Sequence, residues 1–501
     1  MNIKQRLTHG FFYIFTGRVG AGVLTVLTTP LVVRVLGSGG YGDYAFAMAV
    51  YSALRTLAGG GVYEGARKYI AEYPDREDKA AVFSFYLTIS FLSGATIALG
   101  LVLFTYGAIG TVLLEYRLRN YLYIVAVMVF FHAFYHLVRS SLMGFKLEEY
   151  SETMYVLNRV FFPIIGLPLA VIGFHVSGIL IGHAASTFLI VSLGYVALKR
   201  QTNIRVRGMR SIVPNPAEIF HSRMFRYGLL NVVFVLLTKS LYITDILLLQ
   251  PFVTSERVGF YNASLVVAEF LWFVPLALQI VLLHSASQLW TEGRTAEITA
   301  VASNITRYTL LLTGGVGIVL AIVGDSFLPI YFGGEFTASY VPMLLLLPGV
   351  VGFAVARPIY AIGQGHGNMR ALIYGTGGAA ILNVVLNLAL IPQFGVYGAA
   401  VATSVGYGSM LIFHILAAKR LGFNPLRNVR LGRVVVTCTG PIPILWLIDR
   451  SLESNVLSIV VVTLVGLASF FLLAWATRAL SRSEVVEVLE TVPRVRQLTS
   501  R

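Results

Sequence analysis

Residues 32–50 read VVRVLGSGGYGDYAFAMAV. The spacing of Gly37, Gly39 and Gly42 is G-x-G-x-x-G, the spacing that opens a dinucleotide-binding βαβ unit. That unit needs a strand before the glycines and a helix starting at the last of them. Here the flanking runs, 11–33 and 42–62, are apolar and long enough to cross a bilayer as helices. The glycines therefore join two membrane helices, where a tight reversal calls for residues that tolerate positive φ.

The rest of the chain agrees. Of its 501 residues 56% are apolar and 12% charged, outside the range of a soluble globular chain. Fourteen apolar runs of spanning length recur, at 11–33, 42–62, 81–104, 119–141, 153–174, 176–198, 225–250, 260–284, 305–330, 339–362, 371–392, 395–418, 433–449 and 455–478. The expected fold class is an all-α polytopic membrane protein with 14 transmembrane helices. The first run is too long for a signal peptide and has no small-residue cleavage site, so it is expected to stay as helix 1. The one cysteine, Cys438, rules out an intrachain disulfide and reads as a packed thiol.

Basic loops stay on the cytoplasmic side. With the amino terminus inside, only Arg34, Arg117, Arg119, Arg257 and Arg450 of the 38 Lys and Arg residues fall in outer loops, and four lie within spans. Both termini are therefore expected in the cytoplasm, in a multi-pass protein of the cell membrane. The same asymmetry accounts for the net charge of +15 without a nucleic-acid partner.

The opening turn has an echo. GSGGYGDYAFA (37–47) aligns with TSERVGFYNAS (254–264), matching Gly42 to Gly259 and Tyr44 to Tyr261. Arg139 matches Arg357, Gly144 matches Gly363, and FHVSGILIG (174–182) matches FGVYGAAVA (394–402). Landmarks in one order at offsets of 217 to 220 point to two parallel six-helix repeats. Such repeats form lobes about an axis along the membrane normal, with the substrate path between them. The expected domains are an N-lobe (1–198), a cytoplasmic linker (199–224), a C-lobe (225–418), two extra helices (433–478) and a cytoplasmic tail (479–501). Asn215-Pro216 in the linker is a helix-start signature, predicting a short surface helix before helix 7.

Arg34-Val35-Leu36-Gly37 followed by Tyr41-Gly42 and Tyr44, with GVYGAAVATSVGY (395–407) after LNLALIPQFG, resembles the polysaccharide flippases of the multidrug, oligosaccharidyl-lipid and polysaccharide exporter superfamily. The resemblance covers nearly the whole chain and departs at Gly39-Gly40, where the family carries acidic residues. It implies a carrier, not an enzyme, that moves a lipid-linked oligosaccharide across the membrane by alternating access without ATP hydrolysis. Its partners would be that substrate, membrane lipids and glycan-assembly proteins, with H⁺ or Na⁺ as coupling ion.

The charges fit that implication. Arg18, Arg55 and Arg159 lie six or seven residues from the inner ends of helices 1, 2 and 5, about 10 Å deep, and Lys239 lies near the middle of helix 7. A charge at the bilayer centre costs about 2.5–3.5 kcal/mol, so the cluster calls for anionic partners or a wet cavity. The only acids inside are Asp245 and Glu269. The positive excess suits a diphosphate, whose oxygens accept paired guanidinium bonds. Arg18, Arg55, Arg159 and Lys239 are the expected substrate-binding residues. Arginines at this depth also have the reach to snorkel to lipid phosphates, and both readings stand. Asp245 and Glu269 either take up a coupling ion or neutralise neighbouring cations.

Other features read as structural. His132 and His136 share a helix face as a metal pair would, but without a third ligand they read as interhelical packing. Asn383 and Asn387 read as helix glue. Pro30, Pro163, Pro168, Pro275 and Pro348 should kink their helices. The tail 483–497 reads as a short amphipathic surface helix. There is no P-loop, zinc motif or nucleophile constellation, and no cofactor is expected. Two other readings carry weight: a drug or cation antiporter, which wants an acidic cavity, and a membrane-embedded glycan polymerase or ligase, which wants a larger outer loop than 105–118.

Overall fold

The computed structural model describes residues 3–59, 61–113, 115–204 and 223–481. Among them every regular element is a helix. In chain order these are α1 (Ile3–Ala58), α2 (Val62–Glu72), α3 (Arg76–Tyr106), α4 (Ala108–Leu113), α5 (Tyr116–Gly144), α6 (Glu148–Leu169), α7 (His175–Thr202) and α8 (Arg223–Leu249). There follow α9 (Ser255–Glu269), α10 (Phe273–Thr291), α11 (Thr295–Phe332), α12 (Tyr340–Gly365), α13 (Met369–Arg420), α14 (Leu431–Thr439), α15 (Ile442–Ser451) and α16 (Asn455–Ala476). Among the described residues ten stretches are long and apolar enough to cross a membrane, and the chain is a multi-pass membrane protein. Hydrocarbon offers the backbone no hydrogen-bond partner, so a lone spanning segment has to be helical.

Three of these stretches break at a glycine in the left-handed region: Gly37 (φ 65°) inside α1, Gly173 (φ 111°) between α6 and α7, and Gly395 (φ 53°) inside α13. The last two are hairpin tips. A Cβ on Gly178 would press on Ala170, and one on Gly182 would press on Gly166 and Phe162 across the α6–α7 seam. In α13, Gly398 lies against Leu390, Gly406 against Asn383, and Thr376 Oγ1 bonds His414 Nε2 at 3.0 Å. In lipid the helices gain nothing from apolar burial as such, so close backbone approach through small residues carries the packing.

The chain divides into two compact units, 1–262 with 384–399, and 263–383 with 400–501. In the first, Phe46, Leu122, Met128 and Leu180 centre one core cluster, and Ile70, Phe83, Leu137 and Ile190 another; α8 packs on α1. In the second, Leu282, Ile298, Ile359 and Phe423 form one cluster, and α14, α15 and α16 pack on α11. Cys438 is buried against Gly314 and Leu311. Asn383 is buried and donates to the Ala402 carbonyl at 3.4 Å, which is the gluing contact expected of it. Pro275 sits in the first turn of α10, after a tightened turn over Phe270–Trp272, where its missing N–H is least felt. The surface helix expected in the linker and the one expected at 483–497 fall outside the described residues, apart from the start of α8 at Arg223.

Candidate functional site

The three opening glycines do three different things. Gly37 takes the positive φ of the turn, and a Cβ on Gly39 would meet nothing within 4 Å. Gly42 is in backbone contact with the start of α9: a Cβ there would overlap the Ser255 carbonyl oxygen. The contact is reciprocal, since a Cβ on Gly259 would overlap the Ser38 carbonyl oxygen. The offset of 217 that aligns the two stretches also carries Ser38 to Ser255 and Gly42 to Gly259, so equivalent residues meet as in a two-fold contact. Beside it the buried Asp43 carboxylate pairs with Arg117 Nε at 3.1 Å, and Arg117 Nη2 donates to Ser255 Oγ at 3.4 Å.

Further along the same limb of α1 the side chains part around a cavity of about 580 Å³, within the usual range of ligand sites. Each wall is one face of a helix. Met48, Ser52, Arg55 and Thr56 follow one stripe of α1, and Gly59 comes just past its end. His132, Tyr135, His136 and Arg139 on α5, and Tyr155, Asn158, Arg159 and Phe162 on α6, share the i, i+3, i+4, i+7 pattern of a single helix face. His183 and Thr187 come from α7, and Val235 and Lys239 from α8. Hence Arg55, Arg159 and Lys239, singled out in the sequence for their depth, line one cavity. Arg18 belongs to α1, but its side chain lies outside those described.

Each of these three cations lies over an aromatic face. Arg55 lies over Tyr51 at 5.4 Å, Arg159 over Tyr155 at 5.8 Å and Lys239 over Tyr242 at 5.6 Å. Such contacts steady a charge without neutralising it. Arg159 Nη1 also reaches Thr25 Oγ1 at 3.5 Å. Arg139, seen in the sequence only as a repeat landmark, is anchored differently: Nη2 pairs with the buried Glu152 at 2.9 Å and Nε donates to the Ser151 carbonyl at 3.1 Å. Among the lining residues Glu64 alone is acidic, and it pairs with Arg67 at 2.7 Å. The walls thus carry four cations against one carboxylate.

His132 and His136 stack edge to face at 4.5 Å, and His132 Nδ1 bonds the Tyr51 hydroxyl at 2.9 Å. On the far wall Phe162 and His183 stack nearly parallel at 4.0 Å, and His183 Nε2 bonds the Tyr44 hydroxyl at 3.0 Å. The two membrane acids lie elsewhere. Asp245 is fully buried, accepting from the Tyr261 hydroxyl and from the Ile246 N–H at 2.9 Å. Glu269 accepts from the Tyr407 hydroxyl at 3.2 Å in the second unit. Apart from Arg159, the polar stripes of α5 and α6 are the site residues that sequence reading missed. Their signal was present in the helical spacing of H-x-x-Y-H-x-x-R and Y-x-x-N-R-x-x-F.

The family model described as polysaccharide biosynthesis protein matches residues 7–271. The probable low-salt glycan biosynthesis flippase Agl15 of Haloferax volcanii is 29% identical over 176 residues, which span 34% of this chain and 36% of that protein. The probable flippase AglR of the same organism is 26% identical over 420 residues, 81% of this chain and 82% of its own length. Among solved structures, the lipid II flippase MurJ in an inward closed conformation superposes with a TM-score of 0.73 at 12% identity, covering 93% of this chain and 98% of its own. At that identity the likeness speaks for the fold alone.

Proposed function

Because this chain belongs to the polysaccharide biosynthesis protein family, we propose that it is a flippase that carries a polyprenyl-diphosphate-linked oligosaccharide from the cytoplasmic to the outer leaflet by alternating access, without ATP hydrolysis. The observation that supports this most is the gathering of Arg55, Arg159 and Lys239, from three helices, around one cavity whose lining has a single acid. A diphosphate entering it meets guanidinium forks matched to paired phosphate oxygens. Water held at that depth by the charges lets the head group leave the interface without full desolvation. The reaction is a relocation in which no bond breaks.

The broken segments fit the fourteen crossings expected from the sequence: dividing three of the ten spans at their glycines and adding α8 accounts for all of them. With both termini cytoplasmic, the cavity opens inward while the Gly42–Gly259 contact closes the outer side. Asp245 and Glu269, each hydrogen-bonded to a tyrosine hydroxyl, are the candidates for H⁺ or Na⁺ coupling. A drug or cation antiporter fits less well, since cationic substrates would be repelled by these walls.

The test is transport of a fluorescent lipid-linked oligosaccharide in reconstituted vesicles. Arg159→Ala is expected to cut transport by about tenfold or more, from the loss of a charge-assisted bond of ~1.5–3 kcal/mol. Arg159→Lys should also lose activity, because an ammonium cannot form the fork. Normal transport by Arg55→Ala, Arg159→Ala and Lys239→Ala alike would overturn the reading and leave snorkelling as the role of these cations. Topology is checked by Gln201→Cys in a Cys438→Ser background. An impermeant thiol reagent added outside intact cells should not label it, and labelling would invert the orientation.

A further inference from the structure

The cavity accounts for cations of the first unit, but a second group of cations lies at one edge of the second unit. α13 ends in Lys419-Arg420, and Arg427, Arg430 and Arg433 follow before the first turn of α14 is complete. Arg478 joins them from just past the end of α16, and all six are exposed. No Asp or Glu occurs in residues 336–448 or 454–481. Three of the six are gathered. Arg478 takes a left-handed φ of 53°, at a position after a helix that glycine usually holds. Its carbonyl oxygen accepts from Arg430 Nη1 at 2.9 Å and from Arg433 Nη1 at 3.4 Å. Two guanidinium groups thus converge on one oxygen, and each spends on it one of five N–H donors. Like charges held so close call for an anion beside them.

The surroundings say which kind of anion. Leu431, Leu472 and Trp475 are large, apolar and exposed next to these arginines in the chain or one to two turns away. α16 has 22 residues, ~33 Å of helix, close to the ~30 Å of bilayer hydrocarbon. Arg478 therefore stands at the depth of lipid phosphates, with Trp475 one turn further in at the level of an aromatic belt. At the other end of the α14–α15 pair Arg450 has Asp449 beside it in sequence, so the excess charge is confined to one side. A soluble acidic partner would have to lie against an apolar collar. A phospholipid brings a phosphate for the guanidinium forks and acyl chains for the collar.

We propose that Arg430, Arg433 and Arg478 form a head-group site for an anionic phospholipid, whose phosphate bridges the guanidinium groups while its chains lie along Leu431 and Leu472. Bound there, the lipid joins the start of α14 to the end of α16 and ties the carboxy-terminal helices to one leaflet. The site lies outside the cavity and does not depend on what the cavity carries.

The test is photocrosslinking of the full-length protein carrying Leu431→p-benzoylphenylalanine, in nanodiscs of phosphatidylglycerol and phosphatidylcholine in equal amounts, with the lipid adducts identified by mass spectrometry. Phosphatidylglycerol adducts should exceed phosphatidylcholine adducts by about fivefold or more, the weight of one cation near an anionic surface. In Arg430→Gln/Arg433→Gln the ratio should fall to near one. Arg430→Lys/Arg433→Lys, which keeps the charge and the fold but loses the forks, should fall part of the way. Lys199→Gln/Arg200→Gln, which removes two exposed cations from the last turn of α7, should leave the ratio unchanged. Equal adducts in the wild type would overturn the site, and so would a wild-type ratio in the lysine variant, which would leave only a diffuse field of charge. Loss of the enrichment on adding soluble glycerol 3-phosphate would make this a site for free phosphate and overturn the lipid assignment. None of these outcomes bears on the transport reading of the cavity.

Discussion

The two ends of the second limb of α1 are opposites. At Gly42 the backbone touches the start of α9 with no room for a methyl group, and the contact is made of carbonyl oxygens and glycines. At Arg55, thirteen residues or about 20 Å further on, the same helix carries large polar side chains around open space. Close backbone contact gives a stiff join that tolerates no added volume. A polar-lined cavity tolerates volume but depends on the identity of each charge. A stiff helix fixed at one end and lining a space at the other is suited to convert a small angular change at the join into opening or closing of the space.

If that contrast holds, substitutions at the two ends should fail in different ways. The largest effect is expected at the join. Gly42→Ala should destabilise the protein by about 3 kcal/mol, the upper end of overpacking costs, because backbone rather than a flexible side chain must give way. Gly39→Ala, with nothing within 4 Å of its Cβ, serves as the matched control and should unfold with the wild type in detergent melts. Equal melts for the two variants would break the comparison.

Behind the cavity wall, Glu152→Gln removes the carboxylate that anchors Arg139. The glutamine oxygen can still accept one bond, so a loss of about 2 kcal/mol is expected, less than that of fully orphaning a buried charge. Denaturation midpoints of the purified variant check it, and a wild-type midpoint would show that the Ser151 carbonyl and the Tyr135 and Tyr155 rings suffice to hold Arg139. Arg117→Ala should cost about 1 kcal/mol: the arginine is half-exposed, but its partner Asp43 is buried and would be left with the Ser255 contact. Smallest is Arg67→Ala, which breaks an exposed pair with Glu64 at the cavity rim and should shift stability by less than ~0.5 kcal/mol.

The helical class and the turn at Gly37 were legible because apolar length and glycine punctuation are local properties, and the run boundaries at 174–176 and 392–395 fall within three residues of the breaks at Gly173 and Gly395. So were three cavity residues, since a charge within an apolar run stands out whatever its neighbours. Arg139 was not legible as a site residue, because its partner Glu152 lies thirteen residues away across a turn, on another helix. The His132–His136 pair looked like half a metal site in the sequence. In the fold one ring bonds Tyr51 and both pack on aromatics.

By itself the sequence determined that the chain lies in a membrane, where its helices break and which charges are costly there, because hydrocarbon penalises unsatisfied backbone and ionised side chains wherever they occur. Tertiary structure alone decided that Ser38, Gly42, Ser255 and Gly259 meet backbone to backbone and that the polar faces of α1, α5, α6, α7 and α8 turn towards one space. The physical reason is that lipid exerts no hydrophobic force to orient one helix against another. The rotation of each helix is therefore set by the fit of small residues and by polar contacts with its neighbours, which no single run of sequence contains.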